Sequence, residues 1–245
     1  MKAVVMCPMW KRPMLTNYVF NHYNKMKSAL LPSVDLILIA VGSEGKTSRE
    51  IAECNGFDYL EYPNIPLNRK FNAGAKYAES YDPDMLFLLS SDDIISADYF
   101  RAIKAKAEAE TVVGLLDIYF LDLENKSLGY WSGYPDNQGR RGEPVGPGRC
   151  FSRKVLEKCG WQPWPQKREI NKGLDGSCRN RLKGLGIKLK GRYMDEMGCF
   201  AMDIKTDVNI WAWDRIKYKE VIRGNRMEAI LKEAGVGSIL DLRTQ

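Results

Sequence analysis

Four short apolar runs punctuate the first ninety residues. Ala3–Cys7 (AVVMC), Asp35–Val41 (DLILIAV), Tyr59–Tyr62 (YLEY) and Met85–Leu89 (MLFLL) read as strands. Met14–Met26, Ser48–Cys54 and Leu67–Ser80 between them read as helices. In the first, Leu15, Val19, Tyr23 and Met26 recur near helical spacing; in the third, Phe71, Ala75 and Ala78 share a face. Near-continuous apolar strands alternating with helices require a parallel sheet covered on both sides. Such sheets bind ligands beyond the carboxyl ends of their strands. Three loop tips therefore converge on one crevice: Pro8–Arg12, Gly42–Lys46 and Ser90–Asp93.

The second half is less regular. The expected elements are helices over Asp98–Ala109, Arg153–Cys159, Leu174–Lys183 and Lys217–Ala234, and strands over Val112–Leu121 and Val208–Trp213. Gly129–Gly148 holds six Gly and three Pro, which predicts a mobile loop.

With 44% hydrophobic and 28% charged residues the chain has the balance of a globular protein. No apolar stretch approaches the ~20 residues of a membrane span, and the apolar part of MKAVVMCPMW is too short for a signal peptide. A cytoplasmic location is the expectation. The six cysteines are scattered without a CxxC pair, and a single histidine argues against zinc. Between Arg140 and Arg192 fifteen Lys/Arg face four Asp/Glu, whereas the whole chain carries only +6. That asymmetry points to a polyanionic partner.

The stretch FLLSSDDII delivers two carboxylates, Asp92 and Asp93, to the end of a buried strand. A helix cap is one explanation. A site for a hard divalent cation bridging to phosphate oxygens is the other. AVGSEGKT (Ala40–Thr47) offers a competing phosphate-loop reading, as in a kinase or ATPase. Its first Gly is missing and its helix is short, which weakens the backbone cradle. A sugar nucleotidyltransferase should carry a Gly-rich loop after the first strand, and PMWKRPM has no glycine. A non-enzymatic nucleic-acid-binding module would use the basic window with its aromatics, but leaves the first half unexplained.

The order of these segments resembles glycosyltransferases of the GT-A fold, particularly family 2. Lys70-Phe71-Asn72-Ala73-Gly74 is similar to the family's helix before the metal-binding strand, and LLSSDDII to that strand's acidic end. GRCFSRKVLEKCGW (148–161) and GLDGSCRNRLKGLG (173–186) resemble its later segments, the second of which carries the catalytic base. The resemblance covers about residues 1–190. It implies an α/β, three-layer fold with a mostly parallel central sheet, in one domain over 1–245. Residues 1–95 would bind the nucleotide-sugar donor and Mn²⁺ or Mg²⁺, 96–210 would shape the acceptor side, and 211–245 would form a helical extension. It implies a metal-dependent sugar transfer, with inversion.

Asp92 matches the metal-binding position, with Asp93 beside it. Ser90 replaces the first Asp of Asp-X-Asp, and Ala40-Val41 stand where the family reads its uracil ring. Asp175 matches the base, which takes the acceptor's hydroxyl proton; capping of its own helix is the alternative. Donor contacts are expected from Pro8, Trp10, Arg12, Gly42, Ser43, Lys70, Asn72, Ser90 and Ser91. Acceptor contacts are expected from Trp161, Trp164, Arg179 and Arg181. The leading polyanionic acceptor is DNA with a hydroxyl-bearing modified base, flipped to reach Asp175. An anionic polysaccharide or a lipid-linked phosphate is the alternative.

Overall fold

The structure is a computed structural model of the chain and describes residues 1–106, 110–135, 139–207 and 209–242. The first half alternates strand and helix: β1 (Lys2–Pro8), α1 (Pro13–Leu30), β2 (Asp35–Gly42), α2 (Lys46–Cys54), β3 (Asp58–Glu61), α3 (Leu67–Ala78) and β4 (Met85–Leu88). Then come β5 (Asp93–Ile95), α4 (Ala97–Lys106), β6 (Thr111–Leu115), β7 (Ile118–Asp122), β8 (Ser127–Trp131), β9 (Arg149–Ser152) and α5 (Arg153–Lys158). The chain closes with α6 (Leu174–Gly184), β10 (Lys188–Arg192), α7 (Met194–Met197), β11 (Ala201–Lys205), β12 (Glu220–Ile222) and α8 (Gly224–Glu233).

Among the described residues the main sheet runs β10-β6-β9-β4-β1-β2-β3. All of its pairings are parallel except those of β9, which runs against β4 and β6. Strand alternation sorts its side chains into two layers. Ala3, Val5, Cys7, Leu36, Leu38 and Phe87 pack with α1, α2 and α4 on one face. Val4, Met6, Ile39, Val41, Leu86 and Phe151 pack with α3, α5 and α6 on the other. This is the three-layer arrangement the strand pattern requires.

A second sheet, β12-β8-β7-β11-β5, extends the first core cluster. It explains where the expected elements fail. Val112–Leu121 is two strands in different sheets, broken at Leu116-Asp117, where the buried Asp117 carboxylate accepts from Met194 N at 2.7 Å and Tyr130 Oη at 2.8 Å. The C-terminal helix starts at Gly224, because Glu220–Ile222 pairs with β8 instead. Residues 209–212 are not a strand; Val208 lies outside the described residues, as do 107–109 of the expected Asp98–Ala109 helix. The Gly129–Gly148 segment begins inside β8 and returns anchored, with Val145 N donating to Leu115 O at 2.8 Å and Gly148 N to Leu88 O at 2.8 Å. Residues 136–138, the middle of the expected mobile loop, lie outside the described residues. No helix among the described residues is long and apolar enough to cross a membrane.

Candidate active site

The carboxyl ends of β1, β2 and β4 lie side by side, since Pro8 pairs with Val41 and Met6 with Leu88. The loop after β1 is tightly wound. Lys11 and Arg12 both take left-handed backbone (φ 57° and 54°), a costly conformation for residues with a Cβ. This turn aims the Arg12 guanidinium at the end of β4. Its Nη1 lies 2.6 Å from Asp92 Oδ2, and its Nη2 donates to Ser91 Oγ at 3.3 Å. Asn209 Nδ2 donates to the same Asp92 oxygen at 2.7 Å. Burial pushes the Arg12 pKa down, but the charge and hydrogen bond of Asp92 outweigh it and raise it.

Asp93 is buried, and its Oδ2 accepts from Ser90 N at 2.6 Å, so Ser90 serves the turn through its backbone. Burial, and then the Asp92 and Asp203 charges, hold the Asp93 pKa well above the usual carboxylate range. Asp203 sits opposite Asp93 in the β5–β11 pairing. Burial raises its pKa to about 6, against the pull of Lys205 Nζ, 2.9 Å from Oδ2. Its Oδ1 is buried without a hydrogen-bond partner.

Lys70 is buried rather than poised for phosphate. Its Nζ donates to Met9 O at 2.7 Å, Asn64 Oδ1 at 3.0 Å and Ser43 Oγ at 3.4 Å, so it ties the tips after β1 and β2 together. Burial lowers its pKa to about 8. Gly42 ends β2 where a Cβ would fall 2.6 Å from Tyr59 and 2.7 Å from Ser48. Trp10 stays 38% exposed on the rim, with Lys11 Nζ 4.3 Å from its ring centroid.

The phosphate-loop reading of Ala40–Thr47 fails on contacts. Gly45 N already donates to Glu61 Oε1 (3.2 Å), and Glu44 Oε2 takes Lys11 N (2.7 Å). Lys46 points outward, 3.5 Å from Glu50. Carboxylates thus fill the cradle an anion would need.

A second cluster lies at the same edge. Because β9 runs antiparallel to β4, its first residue, Arg149, pairs with Leu88 at β4's carboxyl end. Arg149 is fully buried. Its Nη2 donates to Pro144 O at 2.8 Å, while Nη1 approaches Asp175 Oδ1 to 3.8 Å with no hydrogen bond made by Nη1 or Nε. Asp175 lies in the first turn of α6, makes no side-chain cap, and has a side chain 38% exposed. Burial, then the Asp175 charge, lifts the neighbouring Tyr134 to about 12.

Of the four expected acceptor residues, two are core rings and two are arginines already engaged within the fold. Trp164 is 1% exposed and packs on Phe71 and Phe151, and Trp161 is 6% exposed in the same core layer. Asn72 is buried too, accepting from Trp164 N and donating to Trp164 O at 3.0 Å each. Arg181 donates to Gln162 O at 2.8 Å and Cys159 O at 3.3 Å, and Arg179 Nη1 lies 2.7 Å from Glu143 Oε2. The cations and rings are committed to the fold. The sequence reading missed Asn209, Arg149, Glu143 and Tyr134; only the Gly129–Gly148 composition pointed near the last two.

No family model and no curated protein matches the chain. Solved structures do. Residues 1–349 of S. aureus TarS superpose with a TM-score of 0.50 at 12% identity, over 100% of this chain and 67% of that one. The chain has a GT-A-like fold. A Drosophila β-1,4-galactosyltransferase 7 mutant in complex with manganese, UDP-Gal and xylobiose aligns with a TM-score of 0.48 and 10% identity, over 78% of this chain and 64% of that one. The inositol-1-phosphate CTP transferase from T. maritima aligns with a TM-score of 0.48 and 13% identity, over 100% and 97%.

No group of three or more His, Cys, Asp or Glu among the described residues could hold a metal unaided. Two carboxylate oxygens at this corner nonetheless lack a donor among the described residues. Asp92 Oδ1 makes no hydrogen bond to a described residue, and Asp203 Oδ1 is a buried acceptor without a donor. Hard carboxylate oxygens of this kind suit Mg²⁺ or Mn²⁺ when substrate phosphates complete the shell.

Proposed function

We propose that the chain is a glycosyltransferase that moves a sugar from a nucleotide-sugar donor to an acceptor hydroxyl, assisted by Mn²⁺ or Mg²⁺. The observation that carries this reading is the Arg12–Asp92–Asn209 triangle at the carboxyl end of β4, beside two loop tips joined by Lys70. Against a nucleotidyltransferase stands the loop after β1. Met9-Trp10-Lys11-Arg12 has no glycine, so side chains crowd where a triphosphate would need bare backbone.

In this reading Trp10 borders the donor, and Arg12 is the nearest side-chain cation for its diphosphate. The metal, held by Asp92 with Asp203, would supply charge neutralisation at that diphosphate. Asp175 takes the proton of the acceptor hydroxyl while its oxygen bonds to the anomeric carbon. The bond from that carbon to the diphosphate breaks, and its electron pair leaves on the nucleoside diphosphate. One displacement inverts the anomeric centre. Arg149 orients Asp175 from below as a positioning residue.

The DNA acceptor draws no support from the residues first assigned to it, since Arg179, Arg181, Trp161 and Trp164 are engaged elsewhere. A thermal-shift panel of nucleoside diphosphates, nucleotide sugars and ATP, each with and without Mn²⁺, tests the proposal. Stabilisation by a diphosphate or nucleotide sugar that requires Mn²⁺ supports it. Stabilisation by ATP alone rejects it.

A further inference from the structure

The two clusters of the site are joined by a line of aromatic rings that the function proposed above leaves unused. Two residues after Asn209, which holds Asp92, comes Trp211, 37% exposed. Its indole meets Phe120 at 5.5 Å and 82° and Trp131 at 5.6 Å and 87°. Trp131 is buried and meets Tyr134 at 4.9 Å and 88°. Tyr134 in turn lies within the field of Asp175. A ring exposed by more than a third, yet fixed by two near-perpendicular neighbours, is a rigid platform.

We infer that Trp211 is the stacking platform of an acceptor subsite for a neutral sugar ring, placed between the Asn209–Asp92 and Tyr134–Asp175 pairs. The inference rests on the glycosyltransferase reading and names its acceptor class. Three features select a sugar. A pyranose presents a C–H face that packs on indole, which Trp211 offers. It also presents hydroxyls, and Tyr134 Oη and both Asp175 oxygens make no hydrogen bond to described residues. Finally, each of the cations here already faces a carboxylate. Arg140 makes two 2.9 Å bonds to Glu143, Arg179 shares that carboxylate, and Arg149 faces Asp175. A polyanion would meet charges already paired, Lys205 Nζ over Trp211 included (5.9 Å from the ring centroid, 2.9 Å from Asp203 Oδ2), and the Asp175 oxygens, whereas an uncharged ring can use the Asp175 acceptors, the Tyr134 hydroxyl and the aromatic surface.

The test uses the full chain, with Trp211→Ala and Trp211→Phe compared by melting temperature to confirm folding. Cellobiose, maltose and chitobiose serve as neutral probes, and heparin and a short DNA duplex as anionic ones, read by tryptophan fluorescence and saturation-transfer NMR. At least one disaccharide should bind the parent chain. Trp211→Ala should weaken it by roughly tenfold, and Trp211→Phe should restore most of it. Mn²⁺-supported binding of nucleoside diphosphates should be equal in all three proteins. Unchanged disaccharide affinity in Trp211→Ala, or no disaccharide binding at all, overturns the inference, and so does binding of only the anionic probes. The two ideas separate cleanly. Trp211-dependent sugar binding without any nucleotide binding keeps the platform and removes the glycosyltransferase reading. Nucleotide binding and transfer with an unaltered acceptor KM in Trp211→Ala does the reverse.

Discussion

Asp92 and Asp175 sit at one edge of one sheet and are built in opposite ways. The Asp92 side chain is 10% exposed, and one of its oxygens takes both a guanidinium and an amide. The Asp175 side chain is 38% exposed, makes no hydrogen bond to a described residue, and has Arg149 Nη1 3.8 Å away. A carboxylate clamped by charge serves as a fixed negative site. A carboxylate left with free lone pairs can accept a proton. In the proposed function the first supplies electrostatics and the second takes the proton, and the contrast can be broken by substitution.

The largest effect is expected from Asp175→Asn. Transfer should fall by about 10²–10⁴, the usual worth of a general base, with donor affinity intact. Near-normal kcat at saturating acceptor would remove Asp175 from the chemistry.

Asp92→Asn should lower kcat/KM by about 10²–10³ and abolish the Mn²⁺-dependent part of donor stabilisation. Asn is the informative choice. Asn keeps an oxygen to accept from the half-buried Arg12 and from Asn209, whereas Asp92→Ala would remove charge and acceptor together, confusing folding with function. Donor binding that still rises with Mn²⁺ in the Asn variant would make Asp92 a structural cap.

Gly146→Ala gives a finer cut. Its Cβ would fall 2.8 Å from Asp175 Oδ1, so the carboxylate must move. Roughly a tenfold loss in kcat is expected with donor affinity unchanged, because small misplacements of a reacting group are costly. An unaltered kcat would show that Asp175 needs no fixed position.

The smallest change is in stability at alkaline pH. Lys70 has a folded pKa of about 8, below its ordinary value of 10.5. Between those values the unfolded chain holds the extra proton, so stability should rise with pH across that window relative to Lys70→Met. Melting temperatures of both proteins at pH 7.5 and pH 10 measure the difference. Parallel curves would mean that Lys70 stays charged among its three acceptors.

β1, β2 and β4 were legible because most of their residues are buried on both faces, leaving an apolar run, whereas β3 is a half-exposed edge strand marked only by its short YLEY stretch. The same rule misled at Val112–Leu121, where the run stays apolar across a change of sheet and only Asp117 marks the corner. Asp92 was legible as the polar end of an apolar strand. Asn209 was not, because it reaches that carboxylate from 117 positions away and nothing local distinguishes it. Trp161 and Trp164 looked like ligand rings in GWQPWP. Whether an aromatic residue faces outward depends on what packs over it, here Phe71 and the Asn72 amide on α3.

The antiparallel strand β9 makes this protein hard to dissect. A fragment ending near Ile95 would keep β1–β5 yet lose both neighbours that complete its edges, β9 against β4 and β11 against β5. It would also expose the Arg12–Asp92 pair on the side Asn209 now covers. Recombinant pieces cut at the apparent midpoint should therefore associate with their missing half rather than behave as separate modules. Coexpressed halves should rebuild the crevice only when both are present.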